Sequence, residues 1–416
     1  MKAISIRKTE QLRGNITIQG SKNTVLPIMA ATLLGSGISV IYNCPMIEDV
    51  VIMCKLLECL HAKTKLENHV LTIDTREVSY EALPYELTTK LRSSVLLLGP
   101  ILARWKKVQI GVPGGCAIGL RPIDIHLDGL ARMNVDIGCC DGILTGDTSH
   151  LQGCDYHLRF ASVGATENLV MAATVASGRT ILRGVAKEPE IIELCNYLIS
   201  MGALIEGVGT DTLIIKGTSV LGAADYCNVY DRIVAGTYML MAAMVPCEIC
   251  LLGIDDIRYI KNIINVAAEL GVNIVRRDNC LKMQSVGKVH GGFFRTGIFP
   301  EFPTDLLPVL IAVLIQSEED SVIEETIFEN RFSIIGELRK MGASLTVDDN
   351  RVSVQGGKHL QGHTVLATDL RQGAALVVAG LLGKGYTTIT NISYIQRGYE
   401  DIVRDLKALG VSIEYV

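Results

Sequence analysis

The stretch GGCAIGLRPID, residues 114–124, holds Cys116 on a glycine turn, five residues ahead of Arg121, which Pro122 fixes. Glycine lets backbone N–H groups approach a ligand closely and proline presets the following turn, so the loop is shaped to present something. Charged residues also recur about every 70 residues. At the starts of one set of apolar helices stand Lys22 with Asn23, Arg92, Ser162, Asp231 with Arg232, Asp305, and Asp369 with Arg371. At the starts of a second set stand Glu48, Arg121 with Asp124, Glu188 with Glu190, Arg258, Glu329 with Arg331, and Arg397. Ser162, Asp231, Asp305 and Asp369 suit helix caps. Cations there oppose the helix dipole and need another reason. Guanidinium forks and lysine point charges suit phosphate and carboxylate, so the pattern predicts two faces lining a cleft for a polyanionic small molecule. Cys247 and Cys250 read C-x-x-C, but on a strand these positions face opposite sides and no second Cys or His pair follows, so no metal or redox centre is expected.

The elements that must carry these residues form six units. Helix ends running into a strand recur as LHAKTKLE, MNVDIG, MGALIEG, LGVNIV, MGASLTV and LGVSIEY. Upstream of each lies a helix that is apolar nearly all round, such as NTVLPIMAATLL or QGAALVVAGLL, which belongs inside a domain with sheets around it. A β-branched strand, an amphipathic helix and further strands follow. Units this long predict two closed α/β domains of three units each and not an open solenoid. The chain has 416 residues, 49% of them hydrophobic, enough to fill two cores. A net charge of −5 offers no field for nucleic acid or an anionic membrane. Twelve cysteines without framework spacing suggest reduced thiols, and no apolar run nears the roughly 18 residues of a membrane span, so a cytoplasmic protein without membrane insertion is expected. The expected state is a monomer or weak homo-oligomer.

The segments SKNTVLPIMAATLL, LRSSVLLLGPILAR, PGGCAIGLRPIDIHLDGL, SVGATENLVMAA, KEPEI, DRIVAGT, FPTD, ETIFENRF, ATDLRQGAALVVAG and RGYEDI, in this order from about Lys22 onward, resemble the UDP-N-acetylglucosamine enolpyruvyl transferase family. The resemblance implies two inside-out α/β barrel domains, each of three repeated βαβαββ-like units around buried helices. It implies that residues 1–21 form an N-terminal strand joining the second domain, with 22–229 as the first domain and 230–416 as the second. It also implies transfer of the enolpyruvyl group of phosphoenolpyruvate to the 3′-hydroxyl of UDP-N-acetylglucosamine, with release of phosphate, as the first committed step of peptidoglycan synthesis. By the same resemblance Cys116 protonates carbon 3 of phosphoenolpyruvate and can form an adduct with it. Lys22, Arg121 and Arg397, with Arg92, Arg331 and Arg371 nearby, hold phosphate and carboxylate. Asp305 is the base at the sugar hydroxyl, Asp369 a second carboxylate, and Asn23 an amide bonded to the reacting groups. The nucleotide-sugar is held by Arg92, by Arg121, Pro122, Ile123, Asp124 and Ile125, by Ser162, Val163 and Gly164, and by Ile327. No metal or organic cofactor is implied.

Several positions depart from the family pattern: Pro308 after FPTD, where the helix is expected to begin differently, the tyrosine before Asp231, the segment 255–295, and Phe160 where some members carry lysine, with Arg159 a substitute only if it reaches inward. Two other readings stay open. One is the related transferase acting on shikimate 3-phosphate, which lacks the PGGCAIG loop. The other is a catalytically weak or idle paralogue that binds the nucleotide-sugar in a regulatory role. A dinucleotide-binding dehydrogenase is excluded, because no G-x-G-x-x-G turn joins a strand to a helix.

Overall fold

Six helices organise the chain: Lys22–Ala31, Leu98–Trp105, Val163–Ala173, Arg232–Met241, Leu307–Leu314 and Leu370–Gly380. Small and aliphatic residues occupy nearly every face of them, and they are buried along most of their length. The computed structural model describes residues 2–112 and 123–416. Cys116, Arg121 and Pro122 lie outside the described residues.

Each buried helix is followed by a strand whose alternate residues turn inward, as in Arg179–Arg183, so that one face of each sheet covers the helices. Six sheets result, of which five share one order. At one edge lies a strand parallel to the one that follows the buried helix. That central strand pairs antiparallel with a third, and the third with a fourth. The sheet containing Lys107–Gly111 has three strands among the described residues. In the sheet after helix Leu370–Gly380, the N-terminal strand Ile4–Arg7 takes the third place, between Tyr386–Thr390 and Ile413–Tyr415.

The described residues divide into two compact units, one comprising the segment that ends at Gln19 together with Tyr230–Val416, the other comprising 20–112 and 123–229. Each holds three of the buried helices and a hydrophobic core of its own. The two crossings trade leading strands. Leu12–Thr17 runs in sequence into helix Lys22–Ala31, yet pairs in parallel with Pro246–Leu252, the strand that follows helix Arg232–Met241. Tyr226–Cys227 runs into helix Arg232–Met241, yet pairs with Ile38–Tyr42, the strand that follows helix Lys22–Ala31. Each crossing strand therefore stays in the sheet of the unit it leaves. At the first crossing a Cβ on Gly20 would lie 1.8 Å from the Asn43 carbonyl oxygen, so no larger residue fits.

Pro308 falls in the first turn of helix Leu307–Leu314, after a 3₁₀ turn at Thr304–Leu306. Its missing N–H is one that the helix start leaves unbonded anyway. Among the described residues no helix is long and apolar enough to cross a membrane.

Candidate active site

In the unit containing the C-terminus, the starts of the three buried helices each carry an aspartate, and two of the three cap. Asp231 accepts from the N–H groups of Ile233 (2.9 Å) and Val234 (3.0 Å). Asp369 accepts from those of Arg371 (2.8 Å) and Gln372 (2.9 Å). Asp305, also expected as a cap, is not one: Pro303 precedes the 3₁₀ turn and no side chain caps it. The Asp305 carboxylate is engaged elsewhere. One oxygen accepts from Arg331 Nη2, and the other from Arg371 Nε (3.2 Å) and Nη2 (2.8 Å).

Both arginines are buried, at 3% and 7% exposure. Burial pulls the Arg371 guanidinium down, but Asp305, with Tyr399 and Asp231 adding, holds it above its ordinary value. Buried charge of this kind persists only where it is paired and hydrogen-bonded. The Arg331 guanidinium lies over the Phe328 ring, 5.2 Å from its centroid, and its Nε donates to Thr304 Oγ1 (3.1 Å). The Thr304 hydroxyl donates to Glu325 Oε2 (2.8 Å), whose other oxygen accepts from the N–H groups of Ile327 (2.6 Å) and Phe328 (3.0 Å). Tyr399, pushed up to about 12 by burial, shares a hydrogen bond with Thr237 (2.7 Å). Arg397 is half-buried at the end of helix Ser393–Gln396. Arg258 and Glu329 do not join this group: Arg258 is exposed and paired with Asp256 (2.6 Å), and Glu329 is exposed.

In the other unit, Lys22 opens its helix behind the cap Ser21, half-buried, with Nζ 3.2 Å from Asp49. The buried Asp49, one residue after the Glu48 singled out by repeat phase, makes this contact from the first turn of helix Glu48–Cys59. Asn23 follows Lys22, half-buried. Ser162 caps helix Val163–Ala173 through the Ala165 N–H (3.4 Å), with Val163 and Gly164 in its first turn. Ile123 precedes helix Asp124–Arg132, in which Ile125 is buried. Arg159 pairs with Asp124 on the surface.

A buried node joins three of these segments. Asn168 Nδ2 donates to the Val95 carbonyl (2.8 Å) and to His126 Nδ1 (2.9 Å), while its Oδ1 accepts from the Gly99 N–H (2.9 Å). His126, 4% exposed, is pushed down to about 4 by burial and by Arg92. Neutral imidazole is the form whose Nδ1 can accept. A Cβ on Gly164 would meet the imidazole at 3.3 Å, so a side chain there would press on the ring. Asp49, His126, Asn168, Thr304 and Glu325 were not reached from the sequence. Repeat phase singles out one or two residues at each helix start; Asp49, His126 and Thr304 lie one or two residues from those, whereas Asn168 and Glu325 lie away from any helix start.

Residues 6–406 match the EPSP synthase (3-phosphoshikimate 1-carboxyvinyltransferase) family. The chain is 40% identical over 413 residues to the UDP-N-acetylglucosamine 1-carboxyvinyltransferase of Geotalea uraniireducens, covering 99% of both chains. It is 41% identical to UDP-N-acetylglucosamine 1-carboxyvinyltransferase 1 of Caldanaerobacter subterraneus subsp. tengcongensis, covering 98% of both. The enolpyruvyl transferase NikO from Streptomyces tendae shares the fold at a TM-score of 0.91 and 22% identity, covering 100% of this chain and 99% of that one. EPSP synthase from Acinetobacter baumannii shares it at 0.77 and 17%, covering 100% of both. The fold is thus the two-domain α/β architecture of enolpyruvyl transferases. The chain belongs to the UDP-N-acetylglucosamine 1-carboxyvinyltransferase family, within the wider EPSP synthase family of enzymes.

Proposed function

We propose that this enzyme transfers the enolpyruvyl group of phosphoenolpyruvate to the 3′-hydroxyl of UDP-N-acetylglucosamine, releasing phosphate, in peptidoglycan synthesis. The observation that carries the reading is identity of about 40% across 99% of both chains to a relative of that name. The reaction is an addition followed by an elimination. Carbon 3 of phosphoenolpyruvate takes a proton, for which Cys116 is the donor. Carbon 2 becomes cationic and bonds the sugar oxygen, whose proton passes to Asp305. The tetrahedral intermediate then loses phosphate from carbon 2 and a proton from carbon 3, which restores the carbon–carbon double bond of the enolpyruvyl group.

Lys22, Arg92, Arg121, Arg331, Arg371 and Arg397 meet the charges of phosphoenolpyruvate, Lys22 as a compact charge and the arginines as planar forks. Because Arg331 and Arg371 take both oxygens of Asp305, its carboxylate is held in one orientation, as a positioned base requires. Asp369 supports the same end of the unit by fixing the start of the Arg371 helix. Asn23 bonds the reacting groups. The segments around Arg92, Asp124 and Ser162 to Gly164, with Ile327, hold the nucleotide-sugar. The protein works in the cytoplasm, as a monomer or weak homo-oligomer, without metal or organic cofactor.

The test is phosphate release from purified protein given phosphoenolpyruvate and UDP-N-acetylglucosamine, beside Cys116→Ser and with shikimate 3-phosphate as alternative acceptor. Release that requires the nucleotide-sugar and collapses in the variant is expected. Folded protein that releases no phosphate with either acceptor would mark an idle paralogue.

A further inference from the structure

We infer that Glu325 and Thr304 are positioning residues for this reaction, one carboxylate serving two ends of the sugar site through its two oxygens. The inference rests on the reading of Asp305 as the base at the sugar hydroxyl and of Ile327 as a nucleotide-sugar contact. Glu325 is 2% exposed, and a carboxylate so placed persists only where its oxygens are satisfied. Oε1 gathers the N–H groups of Ile327 (2.6 Å) and Phe328 (3.0 Å), which fixes the turn that presents Ile327. Oε2 accepts from the Thr304 hydroxyl (2.8 Å), and the same hydroxyl oxygen accepts from Arg331 Nε (3.1 Å). Arg331 then donates to Asp305.

The Thr304 hydroxyl has one proton, and Glu325 receives it, so its lone pair is left directed at Arg331. Phe328, whose N–H donates to the other Glu325 oxygen, Oε1, lies beneath the Arg331 guanidinium at 5.2 Å. The Glu325 backbone is itself held on both sides, its N–H donating to the Asn350 carbonyl (2.9 Å) and its carbonyl accepting from Asn350 Nδ2 (3.2 Å). The aim of the Asp305 carboxylate and the position of the Ile327 turn are therefore set by one buried side chain. Neither Glu325 nor Thr304 needs to touch substrate for this.

The two oxygens can be separated by experiment. Thr304→Val removes the hydroxyl at nearly constant volume and leaves the Ile327 turn in place. It should lower kcat by about tenfold, the loss of one hydrogen bond to an ionised group, with KM for UDP-N-acetylglucosamine unchanged. Thr304→Ser should restore kcat. Glu325→Gln should lower kcat and raise KM for the nucleotide-sugar together. Melting temperatures are measured for each, because a purely structural role would lower the folded fraction without this division between kcat and KM. Native kcat in Thr304→Val, equal impairment in Thr304→Ser, or a loss that follows the folded fraction would overturn the inference. Asp305→Glu, which keeps a carboxylate near both arginines but displaces it, is the control. Impairment there with native turnover in Thr304→Val refutes the positioning role alone. Native turnover in Asp305→Glu refutes the reading of Asp305 as an aimed base and the inference with it.

Discussion

Lowering the pH from 7.5 to 4.5 should remove the stability that one side chain, His126, contributes to the unit formed by the described residues of 20–229. Its imidazole accepts from Asn168 at 2.9 Å in a nearly dry site beside Arg92, and both burial and that cation disfavour a charged ring. The unfolded chain takes up the proton near 6.5 and the folded protein only near about 4. Between those values the unfolded state binds more protons, so stability is intact above about 6.5 and lost as pH falls toward about 4. At about 1.4 kcal/mol per pH unit the full loss is about 3 kcal/mol, of which about 2 kcal/mol has gone by pH 5. His126→Asn isolates this effect, since the amide oxygen replaces Nδ1 as acceptor without titrating. The other carboxylates titrate in both proteins and cancel in the difference. Trp105, the single tryptophan, ends a buried helix of the same unit, so its fluorescence during urea unfolding reports the relevant transition. The native protein should be the more stable at pH 7.5, from better packing, and its advantage should shrink by about 2 kcal/mol at pH 5. An advantage that stays constant across this range would refute the argument.

Three further outcomes are expected. Glu167 is buried, and burial, then Glu190 and Glu188, raise its pKa well above 4.5; stability is lost as pH rises from about 4.5 through the folded value, so Glu167→Gln should become increasingly stabilising with pH in the same urea assay, and a pH-independent difference would contradict this. Asp231→Ala should cost about 1–2 kcal/mol through loss of two capping bonds, with Asp231→Asn costing less; equal losses by thermal unfolding would count against the cap. Cys250 and Cys280 have sulfur atoms 3.1 Å apart on adjacent antiparallel strands, so glutathione disulfide should oxidise the pair to a disulfide with release of two glutathione molecules. Because burial and Cys280 push Cys250 up to about 11, the rate should rise about tenfold per pH unit near neutrality, and mass spectrometry showing no loss of two hydrogens would refute it.

The repeat was legible because it is written in patterns that local physics enforces. A helix apolar on all sides has to be interior, and a β-branched run after it has to cover it, so the positions of NTVLPIMAATLL and QGAALVVAGLL could be assigned from hydrophobicity alone. The pairing of Leu12–Thr17 with Pro246–Leu252 could not, since partners more than 230 residues apart leave no local trace. Nor does the pattern of Ile4–Arg7 state that it inserts between Tyr386–Thr390 and Ile413–Tyr415. Alternation fixes which face of a strand is buried and not which neighbour it finds.

The site divides along the same line. A cation at a helix start is conspicuous because it works against the dipole, and this exposed Lys22, Arg92 and Arg371 to a reading by phase. Asp305 was conspicuous for the opposite reason, as a carboxylate where a cap belongs, and the capping argument gave the wrong partner: two buried guanidiniums outbid two backbone N–H groups for its oxygens. What no phase argument reaches is the layer behind. Glu325 looks like any acidic residue next to a threonine until its two oxygens are traced, one to the Ile327 turn and one through Thr304 to Arg331. Asn168 looks like an ordinary helical amide until its three bonds are found to join Val95, Gly99 and His126. Such groups are specified by the geometry of several elements at once, so only the folded chain identifies them. They are also where a substitution should act at a distance, as Glu325 acts on Asp305 and on the Ile327 turn through other groups.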